Sequence, residues 1–187
     1  EKPGYIDYIS RLSDVCQVKI NSLDTLKDAL TLRVNYFKEN GCVVSDHGLT
    51  DIPFNPVSES EANTIFKKRL NGITLSLDEV EKFQTYMLLF LHSKYKEVGL
   101  VSQLHYGCKR DNNESMFEKI GPNTGFDAIS SVTSGNKLAD FLNLLNNNDS
   151  LGKMIVYSLN PNDNDIIDTV IACFQDGKSA NKLQHGS

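Results

Sequence analysis

The sequence predicts an α/β fold in which about four parallel strands alternate with helices. Two observations carry that reading. Apolar runs of strand length recur between longer stretches whose apolar residues step by three and four. Each strand is separated from the next by a helix-length stretch, which implies parallel pairing through crossover connections. With 187 residues, 40% of them hydrophobic, the chain has the material for a core of its own and reads as a single α/β segment over 1–187.

The elements follow in order. A first helix is read from Pro3 to about Val15, with Ile6, Ile9 and Leu12 at helical spacing. Ser22 opens a second, whose stripe of Leu23, Leu26, Leu30, Val34 and Phe37 ends at Gly41, the residue type that commonly follows a helix. Cys42-Val43-Val44-Ser45-Asp46 reads as a buried strand. Ser58 to Leu70 is a third helix, closed near Gly72. Ser76-Leu77-Asp78-Glu79 is a capping box that opens a long helix with the stripe Val80, Phe83, Met87, Leu91, Tyr95 and Val98, stopped by Gly99. Leu100 to His105 is the second strand. The stretch from Tyr106 to Ser134 lacks periodicity and reads as a long loop, ordered by Met116, Phe117 and Phe126. Leu138, Phe141, Leu142 and Leu145 mark a helix, and Lys153 to Leu159 the third strand. Asn160-Pro161 starts the last helix, with Ile166, Ile167, Val170, Ile171 and Phe174 inward. Lys182 to His185 is the fourth strand. Four such strands make either a small open sheet or half of a (β/α)8 barrel, which takes at least about 200 residues when whole.

Composition narrows the function classes. The net charge is −5, and Lys67-Lys68-Arg69, the one basic run, reads as the solvated end of a helix, so no nucleic-acid partner is expected. The apolar run Met87 to Leu91 is far short of the roughly 20 residues of a membrane span. No secretory signal pattern is visible, and Cys16, Cys42, Cys108 and Cys173 contain no Cys-x-x-Cys, which points to free thiols in a reducing cytoplasm.

Parallel α/β folds bind ligands at the carboxyl ends of their strands. Here those ends carry Asp46 and His47, then His105, then Asn160, then His185 and Ser187. His92 falls mid-helix and reads as a satisfied histidine. Asp46 and His47 are adjacent, so alternation sends them to opposite faces of the sheet. A carboxylate and an imidazole at neighbouring strand ends suit proton transfer on a sugar or acyl substrate. They also suit a metal, but no His-x-His or His-Glu-x-x-His completes a ligand set. Arg110 has the geometry to hold a carboxylate, or it braces its loop. Arg110 and Asn112 or Asn113 are expected to bond loop carbonyls. Asp163, Asp165 and Asp168 read as acidic residues near a helix N-terminus rather than as a calcium loop.

Several of these segments together resemble uronate (glucuronate) isomerases. They are Ser45-Asp46-His47-Gly48, Gln103-Leu104-His105-Tyr106-Gly107 with Arg110, Asn112 and Asn113, Met116-Phe117-Glu118-Lys119, Gly121 to Asp127, Leu159-Asn160-Pro161 and Gln184-His185-Gly186-Ser187. The resemblance implies a TIM barrel of the metal-dependent amidohydrolase superfamily, of which this chain is the central portion. It implies interconversion of D-glucuronate with D-fructuronate and of D-galacturonate with D-tagaturonate in hexuronate catabolism. Asp46 and His105 fall on the family's catalytic strand ends, while Arg110, Asn112 and His47 are substrate-side candidates on the reading of the residues themselves. The family's substrate-carboxylate arginine and Trp pair are expected just beyond Ser187. The family's divalent metal, zinc by the usual pattern, is held by a His-x-His and a late Asp that have no counterpart in these residues. The 187 residues alone are therefore expected to be inactive, and the two open edges of half a barrel are expected either to self-associate as a homo-oligomer or to be covered by helix or loop. Asp111 stands where Asn is usual and His185 where Phe is common. The alternative reading is a non-catalytic α/β binding or accessory module.

Overall fold

The structure, a computed structural model, describes residues 4–132 and 134–186. Pro3 and Ser187, which the sequence assigns to the first helix and to the last strand end, lie outside the described residues. The chain divides into two compact units. One takes in the chain up to Val43 and Pro53–Leu100; the other comprises Val44–Ile52 and the chain from Val101 onward.

The first unit is helical. Helices α1 (Tyr5–Cys16), α2 (Leu23–Glu39), α3 (Glu59–Leu70) and α4 (Leu77–Val98) lie where the sequence places them, although Ile6 and Phe37 of the expected apolar stripes are exposed. Ser22, Ser58 and Ser76 each accept a bond from a backbone N–H of the first turn, and at Ser76 the Glu79 carboxylate reaches back to the cap N–H. Such a cap satisfies donors that the helix itself leaves orphaned. Ile9, Leu12, Leu23, Leu26, Ala62 and Phe66 form one apolar cluster, with Phe66 stacked on Phe83 at 5.7 Å. The buried face of α4 is wider than the stripe read from the sequence: Phe83, Leu91 and Val98 pack against the apolar clusters with Met87 and Tyr95, and Thr85, Leu88 and His92 are buried as well. Thr85 earns its place by accepting from Asn55 N–H at 2.9 Å, and the His92 imidazole meets the Leu88 carbonyl at 2.7 Å. Arg69 is not simply solvated, because its guanidinium lies over the Tyr5 ring at 6.0 Å.

The second unit is built on a four-stranded parallel sheet of β1 (Val44–Gly48), β2 (Val101–Tyr106), β5 (Met154–Ser158) and β6 (Leu183–His185), in the order β1-β2-β5-β6. Strand β1 begins two residues later than the sequence suggests. The Cys42 N–H donates to Phe37 O and the Gly41 N–H to Lys38 O, so these residues finish α2 instead of pairing. Register aligns Asp46 with Gln103, Gly48 with His105, His105 with Tyr157 and Val156 with His185. Leu104, Tyr106, Met154, Val156 and Leu183 share one buried face, and Leu138, Phe141, Leu142 and Leu145 of α6 (Gly135–Asn147) and Ile167 of α7 (Asn164–Ala172) are buried in the same unit.

The 106–134 stretch, expected to be an ordered loop, carries regular elements of its own. It holds β3 (Cys108–Lys109), α5 (Glu114–Ile120) and β4 (Ala128–Ile129), with β3 and β4 paired antiparallel. Two-residue strands are too short to leave a periodic signature. After β5 the chain does not enter an α-helix at once: Pro161–Asp163 is a 3-10 turn capped by the Asn160 side chain, and α7 begins at Asn164. Asp163 is fully buried there, accepting from Ser158 Oγ at 3.0 Å, and is no surface helix-start carboxylate.

Candidate active site

Strand alternation decides which side chains can meet. On β2, Gln103 and His105 face the side opposite the buried Leu104 and Tyr106, and register puts Asp46 and Tyr157 on the side of His105. The Asp46 carboxylate reaches His105 Nε2 at 2.5 Å, both side chains remaining nearly half exposed. On the other flank, the Tyr157 ring stands edge-on to the imidazole, with centroids 5.2 Å apart and planes at 88°. Gln103 Nε2 donates to the Tyr157 hydroxyl at 2.9 Å. His105 is thus held by a carboxylate on one side and an aromatic ring on the other.

A cavity of about 610 Å³ opens at this edge, lined among others by His105, Cys108, Arg110, Asp127, Tyr157 and Leu159. Arg110 Nη1 donates to Asp127 Oδ2 at 3.1 Å, while its Nη2 lies 3.1 Å from where a Cβ on Gly48 would stand. Any side chain at Gly48 would crowd that guanidinium. Asp127 also accepts from the Asp111 N–H at 2.8 Å and from the Cys108 thiol. The Asp111 N–H, seconded by Cys108 and Arg110, holds the Asp127 carboxyl below the usual carboxylate range. Burial pushes the Cys108 thiol up, and the nearby Asp127 charge adds to that.

The remaining residues singled out from the sequence fall elsewhere. His47 pairs in register with Leu104, on the face away from Asp46, and burial pulls its pKa below 6.5 against the opposing charge of Asp46. Asn112 turns into its own loop, donating to Lys109 O at 2.7 Å and to Phe126 O at 3.1 Å, as expected for a bond to loop carbonyls. Arg110 departs from that expectation by choosing a carboxylate. Asn113 caps α5. His185 lies on the buried-strand face and meets Asp168 of α7 at 2.8 Å. Gln103, Asp127 and Tyr157 were not singled out by sequence reasoning. Gln103 could have been, since it stands two residues before His105 on one strand.

Comparison with known proteins decides the lineage. The glucuronate isomerase family matches residues 1–187, the full chain. The chain belongs to the glucuronate isomerase family. A uronate isomerase of Endomicrobium trichonymphae is 45% identical over 187 residues, and one of Lachnoclostridium phytofermentans 47%; in each case all of this chain aligns to 40% of the relative. The chain therefore spans about two fifths of the length of these relatives. The crystal structure of uronate isomerase from Thermotoga maritima superposes with a TM-score of 0.89 at 28% identity, covering 100% of this chain and 40% of that one. Glucuronate isomerase from Caulobacter crescentus, at 23% identity and a TM-score of 0.78, shares the fold. The α/β class with parallel strands, of TIM-barrel type, agrees with that read from the sequence.

The metal that the family resemblance implies finds no complete seat here. Among the described residues no three His, Cys, Asp or Glu side chains gather as a ligand set, and Asp46 with His105 supplies two candidate ligands. No helix among the described residues is long and apolar enough to cross a membrane.

Proposed function

We propose that the full natural chain carrying these residues isomerises hexuronates, D-glucuronate to D-fructuronate and D-galacturonate to D-tagaturonate, with this chain as the central part of its (β/α)8 barrel. The observation that carries the reading is the Asp46–His105 pair at the carboxyl edge of a parallel sheet, in a chain of this family. Isomerisation moves a proton from the hydroxyl-bearing carbon beside the aldehyde to the aldehyde carbon. The hydroxyl proton passes to the aldehyde oxygen, so the product is an isomer and no oxidant is needed.

In this reading His105 carries a proton, and Asp46 at Nε2 stabilises the imidazolium that forms. Arg110, with Nη1 fixed by Asp127, offers its remaining donors to the sugar carboxylate. His47, on the opposite face of β1, and Asn112, bonded to its own loop, position the strand and the loop that present these groups and do not themselves face the substrate. The family's divalent metal, zinc by resemblance, would be held by residues other than those described. The reading also includes cytoplasmic location; in the isolated 187 residues β1 and β6 are the outer strands of the sheet, and those open edges favour self-association of the piece.

The test is a coupled uronate assay on the full natural chain, wild type against His105→Asn and Asp46→Asn. Losses of about 10²–10⁴-fold in kcat are expected for His105→Asn, the usual contribution of a positioned acid–base group. A wild-type protein with no uronate turnover would favour the non-catalytic module instead.

A further inference from the structure

Tyr157 does something that holding His105 does not require. Its ring is wedged against Gly186, where a Cβ would come within 1.9 Å of Cε1, so the residue that follows β6 leaves room for the ring by having no side chain. Its hydroxyl accepts from Gln103 Nε2, and a hydroxyl keeps one proton to donate. Among the described residues no hydrogen bond takes that proton, and the side chain lines the same cavity as His105 and Arg110. A purely packing role would be met by phenylalanine. Here an amide fixes the oxygen so that its donor side stays available at the cavity.

We propose that Tyr157 is a specificity-determining residue, its hydroxyl donating one hydrogen bond to a hydroxyl or carbonyl oxygen of a polyhydroxy acid lying against His105. This rests on the hexuronate reading and deepens it. Adjacent strands stand about 4.8 Å apart, so His105 and Tyr157 address neighbouring carbons of one sugar chain. Arg110 addresses its carboxylate end. The ligand class is thus an acid with a row of oxygens, and Tyr157 reads one of them.

The experiment compares wild type with Tyr157→Phe in the full natural chain, using D-glucuronate and its monodeoxy analogues in turnover assays and in titration calorimetry. Phenylalanine keeps the ring beside His105 and removes only the donor. We expect kcat/KM for D-glucuronate to fall about ten-fold, the size of one net hydrogen bond. We also expect wild type and variant to act equally on the one analogue that lacks the oxygen read by Tyr157. An unchanged variant, or an equal loss on every analogue, overturns the proposal while leaving hexuronate isomerisation standing. A wild type that neither binds nor turns over D-glucuronate overturns both.

Discussion

Replacing Gly186 with alanine tests how the site is packed. An alanine Cβ would stand 1.9, 2.2 and 2.4 Å from three carbons of the Tyr157 ring, so the ring has to leave its position. Gly186 does not sit in the left-handed backbone region, so the conflict is steric and not conformational. Leaving breaks the Gln103 bond, worth about 1 kcal/mol, and the edge contact with His105, worth about 0.5–1.5 kcal/mol. Holding the ring in place instead costs about 1–3 kcal/mol of overpacking. Either way the expected destabilisation is about 2 kcal/mol. With a urea slope of about 2 kcal/mol/M, the unfolding midpoint followed by circular dichroism moves down by about 1 M. The double variant Gly186→Ala with Tyr157→Gly is expected to be no worse than Tyr157→Gly alone, because the clash is gone. A midpoint shift for Gly186→Ala below about 0.2 M, or full additivity in the double variant, would refute the reasoning.

Other outcomes are expected on the same grounds. Because burial lowers the His47 pKa, the unfolded chain takes up a proton near pH 6.5 before the folded one does. Stability therefore falls as pH drops through 6.5 to the depressed value and levels off below it, and His47→Gln removes that slope from melting midpoints measured between pH 7.5 and 5.5; an unchanged slope counts against the burial argument. Ser76→Ala removes one half of the α4 capping box and is expected to cost about 1 kcal/mol by denaturant titration. Asp127→Asn weakens the hold on Arg110 and the Asp111 N–H, so amide exchange at Asp111 and Asn112 should quicken while β2 amides stay protected. Zinc or manganese added to the isolated 187 residues is expected to give no uronate turnover; turnover near that of a full-length relative would show that the chemistry rests on other residues.

What the sequence made legible was what neighbouring residues decide. Ser22, Ser58 and Ser76 cap helices by bonds spanning three residues, so their pattern is complete in a short window. Asp46 and His105 could be placed at strand ends because apolar runs precede them. That they touch depends on β1–β2 register, to which the resemblance pointed and alternation alone did not. Tyr157 was hidden inside an apolar run, where an aromatic residue reads as core. Only the alignment of β5 with β2 shows that it faces the imidazole. The β3–β4 pairing was invisible for a related reason: Cys108 and Ile129 meet across a long stretch of chain, and each strand is too brief to carry a pattern. Asp163 looked like one of three surface carboxylates. Its burial follows from the Ser158 hydroxyl beneath it, a partner that no local rule supplies.

The turn at Gly107 has an evolutionary consequence. Its φ is +81°, and a Cβ there would stand 2.7 Å from Ser158 Oγ. Its N–H donates to Thr50 O, and its carbonyl accepts from the Ser130 N–H at 2.8 Å. That last bond draws together the two ends of the excursion carrying Arg110, α5 and Asp127, so the excursion is tied off at its neck like a drawstring bag. Residues can be added or removed inside such a bag without sliding the strands that hold His105 and Tyr157, since doubling a closed loop costs only about 0.6 kcal/mol. The rim of the cavity can therefore change in length between the segments it shares with its family while the strand edge carrying His105 and Tyr157 stays in register. Gly107, which fastens the neck, is the position at which that freedom ends.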